Sequence, residues 1–446
     1  MSAGGSGSGT VPDVVRVAGG RPLEGTVRTP GDKSVSHRVL LLGALAEGPS
    51  TFTGLSDGDD VAATGRAVVA LGATVEGRAG PDGTVTVEGG RPRLRPADGA
   101  IDCANSGTSM RLLAGLVAGI AGHHTLVGDA SLSGRPMDRV AEPLRAMGAG
   151  VFGRGPRCLP PLAVAGGPLA AVDWTPPMAS AQVKGAILLA GLSATGETVV
   201  REPVPTRAHT EELLSLAGAD ITVEAEGPSR VVRVRPSALR PFSLAVPGDP
   251  SQAAFFVVAG CLVPGSEVTV AHVYAGLERL GFVDVLARMG ALVEVDPEGD
   301  GAATISARFG PLSSTTVEAA EIPSLDEVPV LAVAAAAAEG TTVFRAVGEL
   351  RVKETDRLAA VVELVAAFGA EAEVRGDELA VHGVGRPARL RPGTFDSGGD
   401  HRMAMAAAVA AAAAGDGESE VRGFASVATS YPSFLADLER LRGGSS

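Results

Sequence analysis

The stretch Asp32–Gly48, DKSVSHRVLLLGALAEG, opens on a polar turn, continues as an apolar segment and closes on glycine. This order predicts a helix, because Asp32 is suited to the N-cap and glycine to the left-handed residue past a helix end. A segment that is apolar nearly all round predicts burial on every side. The same pattern, followed by a β-branched strand, recurs in five further segments: Asn105–Gly122, Ala179–Gly196, Asp249–Gly265, Asp326–Gly340 and Gly399–Gly415.

The spacing of the closing glycines indicates that the chain contains an internal repeat. From Gly48 to Gly415 they recur every 69 to 75 residues. A second marker alternates with them, an amphipathic helix that ends in Gly-Ala, at residues 72–73, 148–149, 218–219, 290–291 and 369–370. A sixth such helix, near Phe434–Leu441, ends the chain. The repeat is longer than the units of common solenoids, so we expect small α/β subdomains. Each should have one buried helix, one more exposed helix and several short strands.

A second repeated motif groups the six units into two halves. The turns Pro30-Gly31-Asp32 and Pro247-Gly248-Asp249 match, and a Pro-rich, linker-like stretch precedes the second. We therefore expect an α/β protein of two pseudo-symmetric domains, one discontinuous (residues 1–31 and 248–446) and one comprising residues 32–247. Glycine beside proline allows backbone rotation, so a hinge at these turns is a reasonable hypothesis.

Composition excludes several classes of function. The net charge of −13 argues against a general surface for polyanions, and an aromatic content of 3% argues against stacking on single-stranded nucleic acid. The three cysteines are too few and too far apart for a disulfide framework or a C-x-x-C metal site. The Gly/Ser-rich start is unlike a signal peptide, and the longest apolar segments are short for a membrane span. We expect a cytoplasmic protein without membrane or nucleic-acid partners.

The starts of the buried helices carry both capping residues and cations. The expected N-caps are Asp32, Asn105, Ser180, Asp249, Asp326 and Asp400. Capping explains these residues but not the basic side chains Lys33, Arg38, Arg111 and Arg402 on otherwise apolar helices. Burying such charges unpaired costs several kcal/mol each. Because helix N-termini attract anions, the set predicts a pocket for polyanionic ligands.

The scarcity of lysine indicates which cations of this pocket have a specific role. Lysine and arginine together number 38, but only Lys33, Lys184 and Lys353 are lysines. Lys33 and Lys353 lie in dense polar motifs, where a compact ammonium does what a planar guanidinium cannot. Lys184, one turn into its helix, also fits a structural role. The seven histidines are scattered apart from one adjacent pair, and we expect His37, His209 and His401 to be hydrogen-bonding or packing residues.

Four runs of sequence resemble the EPSP synthase family, the 3-phosphoshikimate 1-carboxyvinyltransferases. They occur in order as Gly31–Arg38 (GDKSVSHR), Asn105–Thr108 (NSGT), Arg351–Arg357 (RVKETDR) and Gly399–Met405 (GDHRMAM), with Ser180-Ala181-Gln182 between the second and third. The resemblance extends from about Val14 to Leu441 and so covers nearly the whole chain.

The resemblance implies a fold and a reaction. The fold has two domains of three βαβαββ units each, with buried parallel helices, an inside-out α/β architecture. In the reaction, the 5-hydroxyl of shikimate 3-phosphate adds to C2 of phosphoenolpyruvate while C3 gains a proton, and the adduct then loses phosphate. The family serves the shikimate pathway to chorismate and aromatic amino acids and is the target of glyphosate. The resemblance implies no metal or organic cofactor, and we expect a monomer.

The resemblance also carries roles to matching positions. The residues expected to hold phosphoenolpyruvate are Lys33, Asn105, Gly107, Arg135, Gln182, Arg357 and Arg402. Those expected to hold shikimate 3-phosphate are Lys33, Ser34, Arg38, Ser180, Ala181, Gln182, Thr206, Asp326 and Lys353. Asp326 is the expected proton acceptor, with Glu354 and Lys33 as partners in proton transfer. Residues 32–247 are expected to form the shikimate 3-phosphate domain, the discontinuous domain the phosphoenolpyruvate side, and the cleft between them the active site.

The sequence departs from the family pattern at a few positions. Thr206 stands where many relatives have serine, and Ala181 where part of the family has a hydroxyl. Cys103-Ala104 precedes Asn105 where a glycine is common. Thr429 stands where some relatives carry a lysine, which leaves glyphosate sensitivity open.

Three alternatives remain at this stage. The UDP-N-acetylglucosamine carboxyvinyltransferases resemble this family but typically have a reactive cysteine in the loop that here is Gly128–Arg135, which contains none. A non-catalytic descendant would be expected to lose proton-transfer residues, and these are present. A duplicate that acts on a modified shikimate in a secondary pathway is compatible with the sequence, and Thr206 and Ala181 are where such a change would be expected.

Overall fold

The computed structural model describes residues 11–276, 279–299 and 301–443, which form two compact units. The terminal unit contains the described residues up to Arg28, Pro250–Val273 and those from Leu280 onward. The central unit contains Thr29–Asp249 and the short segment Tyr274–Arg279. The predicted division, at 31/32 and 247/248, lies close to the observed one at 28/29 and 249/250 but did not include the segment Tyr274–Arg279.

The described residues form twelve α-helices. They are α1 (Lys33–Leu45), α2 (Asp59–Ala70), α3 (Gly107–Ala118), α4 (Asp138–Ala146), α5 (Ala181–Gly191), α6 (His209–Leu216), α7 (Pro250–Leu262), α8 (Gly281–Arg288), α9 (Val328–Ala337), α10 (Arg357–Ala367), α11 (His401–Ala413) and α12 (Phe434–Leu441). Each predicted buried segment contains one helix, and α12 coincides with the predicted final helix.

The strands alternate with these helices. They are β1 (Val14–Ala18), β2 (Glu24–Val27), β3 (Pro49–Thr53), β4 (Thr74–Gly77), β5 (Thr84–Glu88), β6 (Ile101–Asp102), β7 (Gly122–Val127), β8 (Gly150–Arg154), β9 (Leu159–Gly166), β10 (Leu169–Ala170), β11 (Asp173–Trp174), β12 (Ala194–Thr195), β13 (Thr198–Glu202), β14 (Ile221–Glu226), β15 (Ser229–Val234), β16 (Ser243–Ala245), β17 (Glu267–Tyr274), β18 (Leu292–Pro297), β19 (Ala302–Arg308), β20 (Thr316–Glu318), β21 (Thr341–Arg345), β22 (Glu371–Arg375), β23 (Glu378–His382), β24 (Thr394–Asp396) and β25 (Glu418–Arg422).

The main sheets of the described residues repeat one pattern three times in each unit. In the central unit their strand orders are β16-β3-β5-β4, β6-β7-β9-β8 and β11-β13-β15-β14, and in the terminal unit β18-β19-β17-β2, β20-β21-β23-β22 and β1-β25-β24. Each contains one parallel pair, such as β16 with β3 or β24 with β25, and at least one antiparallel pair. This repetition confirms the predicted α/β fold of three units in each half.

Helix N-caps follow the prediction where the capping contact is local. Asp32, Ser180 and Asp400 each accept a backbone N–H from the first turn of α1, α5 and α11, respectively. The predictions for Asn105 and Asp326 were wrong, since the N-caps of α3 and α9 are the residues that follow them. Both predicted side chains point instead to charged groups elsewhere in the chain, which bind them more strongly than a neutral N–H does.

The prediction for Asp249 was also incomplete. Asp249 directly precedes α7, which begins with Pro250. Its carboxylate, however, accepts the backbone N–H of Lys33 at 3.1 Å and pairs with Arg279 at 3.2 Å. The two matched turns are thus bonded to each other, with Gly31 and Gly248 forming an antiparallel bridge.

Glycines at the helix ends have a different role from the one predicted. The closing glycines before Gly415, such as Gly48 (φ 126°), have positive φ but lie beyond the C-cap. In the last repeat the positive-φ residue is Gly417 rather than Gly415. The Gly-Ala markers occupy the helix end itself. After α2, Gly72 N–H bonds Val69 O and Ala73 N–H bonds Val68 O, the paired contacts of a Schellman motif.

Each unit has its own hydrophobic core, built around its three apolar helices. Every residue of α7, α9 and α11 is buried in the terminal unit. In the central unit α3 and α5 cross so closely that a Cβ on Gly115 would lie 2.6 Å from the Cα of Ala186. Small residues at this crossing bring the N-terminal ends of α3 and α5, with their polar side chains, together.

We expect Gly115→Ala to destabilise the central unit by about 1–3 kcal/mol, because overpacking forces the two backbones apart. Gly65→Ala in α2 is the matched control. There the nearest atom to an added Cβ is 4.0 Å away, so removing a helical glycine should stabilise by about 0.5–1 kcal/mol. Urea unfolding of both variants measures the difference, and equal effects would contradict the packing argument.

None of the helices in the described ranges is long and apolar enough to cross a membrane. The cysteines Cys103, Cys158 and Cys261 are buried, free thiols. Burial raises the pKa of Cys103 and of Cys261 to about 12, so these two thiols stay protonated at neutral pH.

Candidate active site

The first turn of α1 places Lys33 against acidic groups of the central unit. Its ammonium forms an ion pair with Asp60 of α2, and both side chains are largely buried. Asp32 caps the helix through the N–H of Val35 at 2.8 Å and also accepts from Arg279 at 2.8 Å. Lys33 is therefore held at a helix N-terminus, with its charge balanced by one resident carboxylate.

A buried guanidinium follows Lys33 one turn later. Arg38 donates to Thr210 Oγ1 at 2.7 Å, to Ser34 O at 2.9 Å and to Ala181 O at 3.5 Å. No carboxylate among the described residues forms an ion pair with it. Burial, together with the positive charge of neighbouring Arg207, lowers the pKa of Arg38 to about 10. Arg207 in turn donates to Ser34 Oγ at 3.4 Å, so these groups define a local centre of positive charge.

The starts of α3 and α5 form a second cluster in the central unit. Arg111 donates to Gln182 Oε1 at 2.7 Å, and Gln182 donates to Thr108 Oγ1 at 2.8 Å. Arg135 donates to Asn105 Oδ1 at 2.6 Å. A Cβ on Gly107 would lie 2.8 Å from Arg111 Nη1 and 3.4 Å from Arg135 Nη1. Glycine at this position therefore leaves space beside two guanidinium groups.

In two residues of the predicted shikimate 3-phosphate set, Ser180 and Thr206, the side-chain hydroxyl forms a hydrogen bond within the central unit. Ser180 caps α5 by accepting the N–H of Val183 at 3.3 Å. Thr206 is buried, and its hydroxyl bonds the carboxylate of Glu202. Its predicted contact with a substrate phosphate stays a prediction, and the neighbouring Arg207 is the residue that contacts Ser34.

Lys184 has the structural role that its position suggested. The ammonium is fully buried and pairs with Glu202 at 2.8 Å and Glu211 at 2.6 Å. It also donates to the carbonyl oxygen of Thr206 at 3.4 Å. Lys184 thus fixes the segment that carries Thr206 and Arg207.

Arg357 is the centre of the polar cluster in the terminal unit. It is 1% exposed and pairs with Asp400 at 2.7 Å, Glu354 at 2.6 Å and Asp326 at 3.0 Å. Burial alone would lower the pKa of Arg357, but the carboxylates of Asp400, Glu354 and Asp326 outweigh burial and raise it. Arg357 is therefore permanently charged and rigidly oriented.

A second guanidinium lies on the other side of Asp326. Arg402 Nη2 is 3.5 Å from Asp326 Oδ2, and the buried Nη1 of Arg402 has no hydrogen-bond partner among the described residues. Asp326 and Glu354 are each about a quarter exposed. The cluster thus joins four of the predicted site residues and retains capacity to donate to a further anion.

Lys353 lies apart from the Arg357 pairs. It donates to the carbonyl oxygen of Ser324 at 3.2 Å, and Glu349 lies 4.0 Å away.

Three or more His, Cys, Asp and Glu side chains in an arrangement suited to a metal ion do not occur within the described residues. The arginine and lysine side chains of both units are donors suited to phosphate and carboxylate oxygens.

The predicted phosphoenolpyruvate set is divided between the units. Five of its members lie in the central unit and only Arg357 and Arg402 in the terminal unit. Sequence reasoning missed Asp60 as the partner of Lys33 and gave Arg207 no contact of its own. Asp60 lies in the first turn of α2, where an acidic residue is ordinary, whereas the position of Arg207 beside Thr206 was an available signal.

We expect the free energy of unfolding to fall as pH decreases below about 6.5, because of buried histidines. Burial, followed by the charges of Lys33 and Arg38, lowers the pKa of His37 well below 6.5, and burial with Arg279 lowers that of His209 similarly. Below pH 6.5 these histidines therefore bind protons in the unfolded chain but not in the native protein. The stability present above that pH is lost on acidification.

Urea midpoints between pH 7.5 and 5.5 measure this effect. His37→Gln should flatten the slope, while the same change at exposed His123 should leave it intact. A wild-type midpoint that rises on acidification would contradict the assignment.

Comparison with known proteins identifies the family of this chain. The chain matches the family described as EPSP synthase (3-phosphoshikimate 1-carboxyvinyltransferase) over residues 17–438. It is 45% identical to the 3-phosphoshikimate 1-carboxyvinyltransferase of Synechococcus sp. (strain CC9605), covering 98% of this chain and 100% of that protein. It is 46% identical to that of Sphingopyxis alaskensis, covering 94% and 96%.

Solved structures give the same result. An EPSP synthase from Acinetobacter baumannii is similar with a TM-score of 0.84 and 37% identity, over 96% of this chain and 98% of that one. The enolpyruvyl transferase NikO from Streptomyces tendae, at 23% identity and a TM-score of 0.75 over 96% and 97%, shares the fold. The chain belongs to the EPSP synthase (3-phosphoshikimate 1-carboxyvinyltransferase) family.

Proposed function

We propose that this chain transfers the carboxyvinyl group of phosphoenolpyruvate to the 5-hydroxyl of shikimate 3-phosphate and releases phosphate. Beyond family membership, the supporting observation is, in each unit, a buried guanidinium that lacks an anionic partner or leaves one nitrogen without a hydrogen-bonding partner among the described residues. Arg38 has no carboxylate partner among the described residues, and Arg402 Nη1 has no hydrogen-bond partner there. Two multiply charged anionic substrates supply the acceptors that these groups lack.

The central unit is assigned most of the contacts with shikimate 3-phosphate. Arg38, with Arg207 and the hydroxyl of Ser34, suits the phosphate, because burial strengthens their attraction for an anion. Ser180, Ala181 and Gln182 lie at the start of the neighbouring helix α5. Lys353 of the terminal unit is assigned to the same ligand.

Phosphoenolpyruvate is assigned to donors from both units. Arg357 and Arg402 suit bidentate binding of a carboxylate or phosphate. Arg135, Gln182 and Lys33 complete the set, with Gly107 and Asn105 beside Arg135. The binding of these anions competes with the resident carboxylates Asp60, Asp326 and Glu354, of which Asp326 and Glu354 become available for proton transfer.

The proposed chemistry proceeds in two steps. In the addition, Asp326 accepts the proton of the 5-hydroxyl as its oxygen attacks C2, and Lys33 or Glu354 delivers a proton to C3. In the elimination, C3 returns a proton to the group that delivered it, the double bond re-forms, and the bond from C2 to the phosphate oxygen breaks so that phosphate leaves with the bonding electrons.

Phosphate release from phosphoenolpyruvate tests this proposal. The purified protein is assayed with shikimate 3-phosphate and, separately, with UDP-N-acetylglucosamine. We expect turnover only with shikimate 3-phosphate, and the coupled product is verified by mass. Turnover only with UDP-N-acetylglucosamine would overturn the assigned substrate.

A further inference from the structure

The loop before α9 has an unusual backbone conformation at the residue that precedes Asp326. Leu325 has a φ of 57°, a left-handed value that is rare for a residue with a branched side chain. Residues in such conformations persist only where surrounding contacts hold them, and they cluster at functional sites. The contacts that hold this loop therefore decide where the carboxylate of Asp326 lies.

Glu327 supplies those contacts. Its side chain is 3% exposed, and although Glu327 is the N-cap of α9, that side chain makes no capping hydrogen bond. One carboxylate oxygen accepts from Ser324 Oγ at 2.8 Å, and the other accepts from the hydroxyl of Ser251 in α7. A buried carboxylate that caps nothing is thus directed entirely at two serines.

Ser324 relays this contact to two site residues. Its hydroxyl oxygen accepts the backbone N–H of Asp326 at 3.4 Å, while its own proton points to Glu327. Its carbonyl oxygen accepts from Lys353 Nζ at 3.2 Å. The Arg357 guanidinium has a separate anchor in Asp400, which does not belong to this loop.

We propose that Glu327 is a positioning residue that orients Asp326, and secondarily Lys353, through Ser324. This role rests on the proposed function, in which Asp326 accepts the substrate proton. It acts through hydrogen bonds rather than through charge. An amide at this position retains one acceptor for Ser324 and one donor for Ser251, so glutamine should preserve the role and alanine should abolish it.

The experiment measures kcat and both KM values for Glu327→Ala, Glu327→Gln and Ser324→Ala. For Glu327→Ala and Ser324→Ala we expect kcat to fall by roughly 100-fold, the effect of displacing a reacting group by about 1 Å. The KM for shikimate 3-phosphate should rise through Lys353, whereas the KM for phosphoenolpyruvate should stay within about threefold. Glu327→Gln should remain within about threefold of the wild type in kcat.

Val285→Ala is the matched control for lost stability, since Val285 is buried in α8 of the same unit without polar contacts. It should lower the melting temperature and leave kcat unchanged. Wild-type kcat in Glu327→Ala, or an equal loss in Glu327→Gln, would overturn the positioning role. Absence of turnover in the wild type would instead overturn the proposed function, so the two failures are distinguishable.

Discussion

Asp326→Asn is expected to lower kcat by about 10²- to 10⁴-fold, the range contributed by a positioned general base. Asparagine has the same shape as aspartate and retains an acceptor for Arg357. In the wild-type protein, Arg357 Nη1 lies 3.0 Å from Asp326 Oδ1. It cannot take up the proton of the substrate hydroxyl. The loss should therefore fall on the chemical step, with dissociation constants for both substrates changed by less than about tenfold.

Glu371→Gln is the control for this experiment, because Glu371 is an exposed carboxylate on β22 of the same unit. It should leave kcat unchanged. Single-turnover kinetics and equilibrium binding together separate chemistry from affinity. If Asp326→Asn binds shikimate 3-phosphate far more weakly but converts bound substrate at the wild-type rate, Asp326 is a binding residue and not the base.

Asp400→Ala is expected to destabilise the protein by about 3–5 kcal/mol, the usual effect of breaking a buried ion pair. Asp400 is fully buried, caps α11 through the N–H groups of Arg402 and Met403, and holds Arg357 at 2.7 and 3.2 Å. Its loss leaves a buried guanidinium without its principal anchor. The free energy of unfolding in urea, with the melting temperature, measures the effect.

Asp356 offers a matched comparison for Asp400. It caps α10 through the N–H of Ala359 at 3.0 Å but is exposed, so Asp356→Ala should lose only about 1 kcal/mol, the contribution of a cap. Similar losses in both variants would show that the pair of Asp400 with Arg357 adds no stability.

The pH dependence of Asp400 has a defined sign. Burial alone would raise the pKa of Asp400, but Arg357 outweighs burial and lowers the pKa below 3.8. The stabilisation is therefore present above pH 3.8 and lost as the pH falls below it.

The architecture could be predicted from the sequence because its signals are local or repeated. Helix α12 was predicted at its observed bounds, and Asp32 and Asp400 cap the helices that follow them. Such caps depend on an N–H two or three residues away, so their geometry follows from residue order alone. The apolar helices were predictable for a similar reason, since uniform apolarity is satisfied only by burial.

The partners of the charged residues were decided by the tertiary structure. Asn105 and Asp326 resembled N-caps in the sequence, but Arg135 and Arg357, each about thirty residues away, bind their side chains instead. Likewise, nothing near Lys33 in the sequence indicates Asp60, and nothing near Glu327 indicates Ser251. The chain itself therefore determined the six buried helices, through local hydrogen bonding and apolar periodicity, and the anionic nature of their ligands stays a prediction from the cations at the helix starts. Only folding decided which carboxylate balances which cation, because electrostatic energy depends on distance and burial in space, and neither is encoded by neighbours in the sequence.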